Sequence, residues 1–298
     1  MRMKQTILAT GLRFPEGPVF AADGSILLVE IERGTITRVA RSGEVGVLHT
    51  LGGGPNGLAF GPDGALYVAN NGGFLFRETE GLNRTRPGTP EGYAGGWIER
   101  LDLETGERRR LYTQCGGHGL VGPNDLAFDG QGGFYFTDYG KTYPRHRPHG
   151  GLYYARADGS FIAEVAFPMV TPNGVGVSPD GRTVYVAETE TARLWAFDLE
   201  GPGVASGARR TPHAPHLGRL VVGLPGYQRF DSLHVDRAGN IWVATMVTGC
   251  ITVVSPEGAV LRTIPTGDPI TTNVTLSPSE REAIVTLSGT GRLLLLEW

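Results

Sequence analysis

Along the chain, short runs of apolar and small residues are separated by clusters of glycine, proline and aspartate at fairly regular intervals. Residues 122–138, GPNDLAFDGQGGFYFTD, show the pattern: a strand, a glycine turn and a second strand. The first of these strands opens with a polar pair, Asn124 and Asp125, ahead of Leu126, Ala127 and Phe128. Six segments share the arrangement. They are PEGPVFAADGSILLVE from Pro15, PNGLAFGPDGALYVAN from Pro55, PNDLAFDGQGGFYFTD from Pro123, PNGVGVSPDGRTVYVAE from Pro172, FDSLHVDRAGNIWVAT from Phe230 and TNVTLSPSEREAIVTL from Thr272. Registered on Glu16, Asn56, Asn124, Asn173, Asp231 and Asn273, five of the six carry a glycine eight residues on: Gly24, Gly64, Gly132, Gly181 and Gly239. Each supplies the positive φ of a tight hairpin. The last copy has Arg281 there instead.

Most copies are followed by another strand pair, such as GTITRVARSGEVGVLHT, WIERLDLETGERRRLYT and GCITVVSPEGAVLRTI. The registered positions lie 40, 68, 49, 58 and 42 residues apart. Four strands per repeat of roughly forty residues or more is the period of a propeller blade. No long helical periodicity competes with it. The pattern predicts an all-β, six-bladed β-propeller with four-stranded blades, forming a single domain over residues 1–298. The sixth copy runs out of chain at Trp298 without a fourth strand, so the N-terminal KQTILATGL is predicted to supply it and close the ring.

Composition narrows the partners. With 27 basic and 30 acidic residues, a net charge of −3 gives no electrostatic reason to expect nucleic acid or an anionic membrane as partner. The 46 glycines and 20 prolines fit many tight turns between short strands. Cys115 and Cys250 make neither a metal-ligand spacing nor a disulfide framework, which favours a reducing compartment. The apolar run in MRMKQTILATGLRFPEG is too short for a leader peptide or a membrane span, and the expected location is cytoplasmic. Nothing in the pattern calls for an obligate protein partner.

The first strand of each propeller blade lines the central channel, so the six registered side chains are expected to converge on one axis. All are carboxylates or carboxamides, hard oxygen donors suited to calcium, magnesium or manganese. Two carboxylates, Glu16 and Asp231, would nearly neutralise such an ion, and without it would repel each other. A lone Pro-Asn-Gly is an ordinary turn whose amide bonds nearby backbone, and one copy alone needs no other reading. Turn chemistry does not require Glu in copy one or Asp in copy five. On the same face lie two long loops, 70–96 and 139–150, whose Arg77, Arg84, Arg86, Lys141, Arg145, His146 and His149 are candidates for contact with a polyhydroxylated or anionic substrate. Glu30, Asn70, Asp138 and Glu188, at the ends of second strands, are candidate supports of the ring. His234, three residues after Asp231, points away from the Asp231 side by strand alternation and is expected to pack.

With these residues in hand, the chain resembles the senescence marker protein (regucalcin), gluconolactonase and luciferin-regenerating enzyme family over nearly its whole length, from FPEGPVF to SGTGRLLLLEW. The motifs that carry the likeness are EGP in blade one, PND with GGFYFTD in blade three, PNGVGVSPDG with YVAETETARLWAFDL in blade four and FDSLHVDRAGNIWVATM in blade five. The resemblance implies one divalent metal ion, calcium first, with zinc, magnesium or manganese as alternatives, held by Glu16, Asn173 and Asp231. It implies substrate contact by Asn124 and assigns nothing to Asn56, Asn273 or Asp125. The activity implied is hydrolysis of a small sugar-acid lactone, with Asp231 or a neighbouring carboxylate activating water. The alternatives are hydrolysis of another ester or a phosphotriester, and a metal-binding propeller module without turnover. No Gly-x-Ser-x-Gly elbow supports a serine hydrolase.

Overall fold

The computed structural model describes residues 3–298, and among these there are strands, turns and irregular segments but no helix. None is therefore long and apolar enough to cross a membrane as a helix. Six sheets form the blades. Their first strands are Pro15–Phe20, Pro55–Phe60, Pro123–Phe128, Pro172–Val177, Arg229–Val235 and Thr271–Leu276, and each pairs antiparallel with the second strand of its own hairpin. Blade four also carries a two-residue strand, Val204–Ala205, on its third strand.

Packing explains the composition of each strand position. Second strands such as Ile26–Glu30, Leu66–Asn70 and Gly133–Asp138 are buried along their whole length, because a neighbouring blade covers each face. They therefore read as near-continuous apolar runs instead of alternating. Outer strands such as Val45–Thr50 are largely exposed. The core lies between blades: Tyr67, Leu126, Phe134, Phe136 and Ala155 join blades two and three, while Tyr135, Tyr154, Val184, Val186 and Trp195 join three and four. Truncating a fully buried ring such as Phe134 to alanine costs about 3–5 kcal/mol.

The ring closes as the sequence predicts. Lys4–Ala9 adds to Arg292–Glu297 as the fourth strand of blade six, in a register that pairs Lys4 with Glu297 and Ile7 with Leu294. A salt bridge of 2.9 Å joins the Lys4 and Glu297 side chains.

Blade six corrects one register. Its first strand begins at Thr271, and its turn places Glu280 at φ 54°. In the other blades the registered residue is followed eight positions later by the positive-φ glycine. The same count back from Glu280 reaches Thr272, so the axial position of blade six is Thr272 and Asn273 is its successor. A glutamate occupying the left-handed turn position hid this, and the missing glycine opposite Arg281 was a one-residue slip.

The 70–96 loop is not a plain loop. Leu75–Thr79 and Leu82–Arg86 form a hairpin between the second and third strands of blade two. It crosses the mouth of the channel: Asn83 donates its backbone N–H to Gly289 O (2.8 Å) and its Nδ2 to Glu32 (2.6 Å). Phe74, Phe76 and Leu82 pack against Phe14, Ile31 and Ile270, with the Phe14 and Phe76 ring centroids 5.2 Å apart. Gly88 N–H donates to Thr142 O, tying the hairpin's return to the 139–150 loop.

Candidate functional site

A local irregularity in every blade builds the hub. The pairing of first and second strands breaks register at the axial residue or beside it: between Glu16 and Val19, Pro55 and Gly57, Pro123 and Leu126, Pro172 and Val175, Phe230 and Leu233, and Thr271 and Asn273. Such bulges free a residue from the ladder and re-aim its side chain. The following position is often glycine because the next blade's first strand comes too close for a side chain. A Cβ on Gly57 would meet Asn124 O at 2.6 Å, and one on Gly174 would meet Leu233 N at 2.5 Å. Where this position is polar it braces a neighbouring blade. Ser232 Oγ donates to Asn173 Oδ1 (3.3 Å), and Asn273 Nδ2 donates to Glu16 Oε2 (2.9 Å).

Glu16, Asn56, Asn124, Asn173 and Asp231 all line one cavity of about 440 Å³ beneath the lid hairpin. All five are buried. Asn273 lies outside this cavity and faces a lower one of about 260 Å³ with Asp125, on the channel's other side. Asn173 is fixed at both ends, its Nδ2 donating to Thr189 Oγ1 (3.1 Å). Glu16 Oε2 accepts from Gly17 N–H (3.0 Å) as well as from Asn273.

The hub is electrostatically crowded. Burial pushes Glu16 up to about 7, against the pull of its hydrogen bonds from Asn273 and Gly17. Burial, and then the charge of Glu16, push Asp125 up to about 7. Asp231 is raised well above the usual carboxylate range, first by burial and then by Glu16. In isolation each carboxyl is thus driven toward its protonated form. Asn124 Oδ1 is buried without any hydrogen-bond partner, an acceptor left at a cost of about 1–3 kcal/mol. An all-oxygen donor set with an orphaned amide oxygen and repelling carboxylates fits a hard divalent cation. Among the described residues no three of His, Cys, Asp and Glu stand together at coordinating distances. A cation here would therefore be shared between carboxylates and amides.

The candidate supports act one step upstream of the hub. Glu30 accepts from Arg13 N–H, Asn70 from Gly54 N–H, Asp138 from Val121 and Gly122 N–H, and Glu188 from Val170 N–H. Each thereby pins the backbone just before its own blade's first strand. Of the loop residues, Arg77, Arg84 and Arg86 line the cavity, whereas Arg145, His146 and His149 do not. Lys141 is fully buried beside it, donating to Gly73 O (2.8 Å) and Asn71 Oδ1 (3.2 Å) under the Phe74 ring. It anchors the lid's base. His234 lines the lower cavity, and burial lowers it to about 4, so it is neutral near pH 7. Sequence reasoning missed Tyr139, Arg147, Glu190 and Arg229, which also line the upper cavity. Arg229 was legible in principle, standing two positions before Asp231 on the same strand face.

Fold and site together define a class: a six-bladed β-propeller whose buried hub collects carboxylates and amides. Residues 14–289 match the family described as SMP-30/gluconolactonase/LRE-like region, and the chain belongs to that family. It is similar to the lactonase drp35 of Staphylococcus saprophyticus, at 28% identity over 248 residues covering 82% of this chain and 67% of that protein. It is also similar to a gluconolactonase of Zymomonas mobilis, at 25% identity over 288 residues covering 88% of this chain and 72% of the relative. In fold it is similar to a gluconolactonase from Xanthomonas campestris, with a TM-score of 0.77, 23% identity, and coverage of 99% of this chain and 89% of the other. Another similar structure is a regucalcin from Agrobacterium tumefaciens, described as a calcium-binding protein, with a TM-score of 0.75, 18% identity, and coverage of 99% and 93%.

Proposed function

We propose that this protein is a divalent-metal-dependent hydrolase that opens a sugar-acid lactone to its acid, the whole chain acting as one unit in the cytoplasm. The observation that carries the reading is the convergence of Glu16, Asn124, Asn173 and Asp231 on one cavity wall, with Asn124 Oδ1 unpartnered. Family membership and the lactonases among its relatives support the reaction class. The two free cysteines accord with the compartment.

Glu16, Asn173 and Asp231 would hold the cation, calcium first among the candidates. Bound there, it would act as a Lewis acid on the lactone carbonyl. Asn124, beside these ligands, would turn its unpartnered Oδ1 toward the cation and donate Nδ2 to the substrate's carbonyl oxygen as negative charge develops. Asp231 accepts the proton of the attacking water, in the carboxylate form that a bound cation would favour. The lid hairpin excludes bulk water and leaves these groups in a low-dielectric site.

The test is a lactone panel assayed by acid release, with and without chelator, on the wild type and Asp231→Asn. Wild-type turnover that chelator abolishes is expected, with a loss of at least about a hundredfold in the variant and a near-native melting temperature. Full activity in Asp231→Asn would overturn the assignment.

A further inference from the structure

Five arginines line the cavity above the hub: Arg77, Arg84 and Arg86 from the lid, Arg147 from the 139–150 loop and Arg229 from blade five. Three carboxylates share it. Glu16 and Asp231 belong to the hub, and Glu190 is already taken, with Arg147 at 3.2 Å on one oxygen and Arg229 at 3.1 Å on the other. Among the described residues no carboxylate lies within ion-pair distance of the three lid arginines. Arg84 Nε and Arg229 Nε are both buried without an acceptor. A guanidinium donor stripped of water and left unpaired is costly, and a bidentate oxyanion is the ligand its fork matches.

The seat is rigid. Asn83, next to Arg84, is fixed by its bonds to Glu32 and Gly289, and the two-way clip of Glu190 fixes Arg229. Arg77 and Arg86 are exposed on the lid, whereas Arg84 and Arg229 are half-buried over the same cavity as the hub. A neutral polyol lactone would leave this excess of positive charge unused.

We propose that the substrate carries a second, anionic group remote from the lactone carbonyl, a carboxylate or a phosphate, bound by Arg84 and Arg229. This rests on the lactonase reading above and narrows its substrate class. The group makes no covalent step; it orients the ring so that the carbonyl faces the hub.

Two experiments separate this claim from the reaction itself. Calorimetry with three inert probes, a methyl hexoside, its 6-phosphate and the corresponding methyl hexuronide, is run on the wild type, Arg84→Met, Arg84→Lys, Arg229→Met and the outer-strand control Arg262→Met. One anionic probe is expected to bind roughly tenfold or more tighter than the neutral one, a preference that Arg84→Met or Arg229→Met reduces by about tenfold to a hundredfold. Arg84→Lys should retain part of it, having kept the charge and lost the fork, and Arg262→Met all of it. Whichever of phosphate and carboxylate binds tighter identifies the group. Equal binding of all three probes, or a preference that survives both arginine-to-methionine substitutions, overturns the proposal. Hydrolysis of a hexonolactone, its 6-phosphate and its 6-carboxylate is measured in parallel. Turnover with the neutral lactone preferred sinks this inference alone, whereas intact anionic probe binding with no lactone hydrolysed sinks the reaction and spares the subsite.

Discussion

Gly174 follows the axial Asn173, and its replacement by alanine is the most informative single perturbation of the hub. The residue is not in the left-handed region, so alanine adds no backbone strain of its own. The new Cβ would instead stand 2.5 Å from Leu233 N, 2.7 Å from Ser232 C and 2.8 Å from Asp231 O, all main-chain atoms of blade five. Relief requires blades four and five to separate by several tenths of an ångström, since backbone atoms cannot rotate aside. Overpacking costs about 1–3 kcal/mol, and with unyielding neighbours the upper end applies. For a chain of this size that lowers Tm by roughly 5 °C. It also moves Asn173 relative to Asp231, so calcium affinity should drop about tenfold or more. Gly181→Ala is the matched control. At φ 70° with nothing within 4 Å of the added Cβ, it carries conformational strain alone, about 1–2 kcal/mol, and leaves the hub untouched. Calorimetric melting and calcium titration on both variants read the difference. If Gly174→Ala melts no lower than Gly181→Ala and binds calcium as tightly as wild type, the close approach of blades four and five does not set the hub geometry.

Two further outcomes follow from the buried groups. Asn273→Leu removes the amide donor on Glu16 Oε2, and calcium affinity by isothermal titration should weaken about tenfold to a hundredfold, whereas unchanged affinity would show that Asn273 does not position Glu16. Burial lowers Lys141 to about 7 from its ordinary 10.5, so between those pH values the unfolded chain holds more protons than the folded one. Its burial penalty is full below pH 7 and is relieved as pH rises toward 10.5, so urea unfolding should show a gain of up to about 2 kcal/mol from pH 7 to pH 9. Lys141→Met should flatten that rise, and an equal slope in the variant would mean that the lysine keeps its ordinary proton affinity.

The fold was legible because propeller blades repeat. Six hairpins with a polar strand opening, five of them with glycine eight residues on, expose the blade count, and a missing fourth strand at the C-terminus points to the N-terminal closure. Register in blade six was not legible, because Glu280 adopts at φ 54° a turn position that glycine fills elsewhere. A residue type is a weak guide where tertiary packing overrides its preference. At the site, Glu16, Asn124, Asn173 and Asp231 could be placed together because equivalent positions share an axis. Arg147 and Glu190 could not, since their convergence depends on how the chain outside the strands folds back over the hub. Lys141 shows the reverse: a charged residue in a site-face loop that packs inward beneath Phe74 and Tyr93.

The central claim is that Glu16, Asn173 and Asp231 jointly hold one divalent cation. Anomalous scattering from crystals grown with manganese tests it most directly. The account predicts a single strong anomalous peak in contact with oxygen atoms of all three side chains, and its loss in Asp231→Asn. A hub without a peak, or a peak ligated elsewhere in the chain, would contradict it.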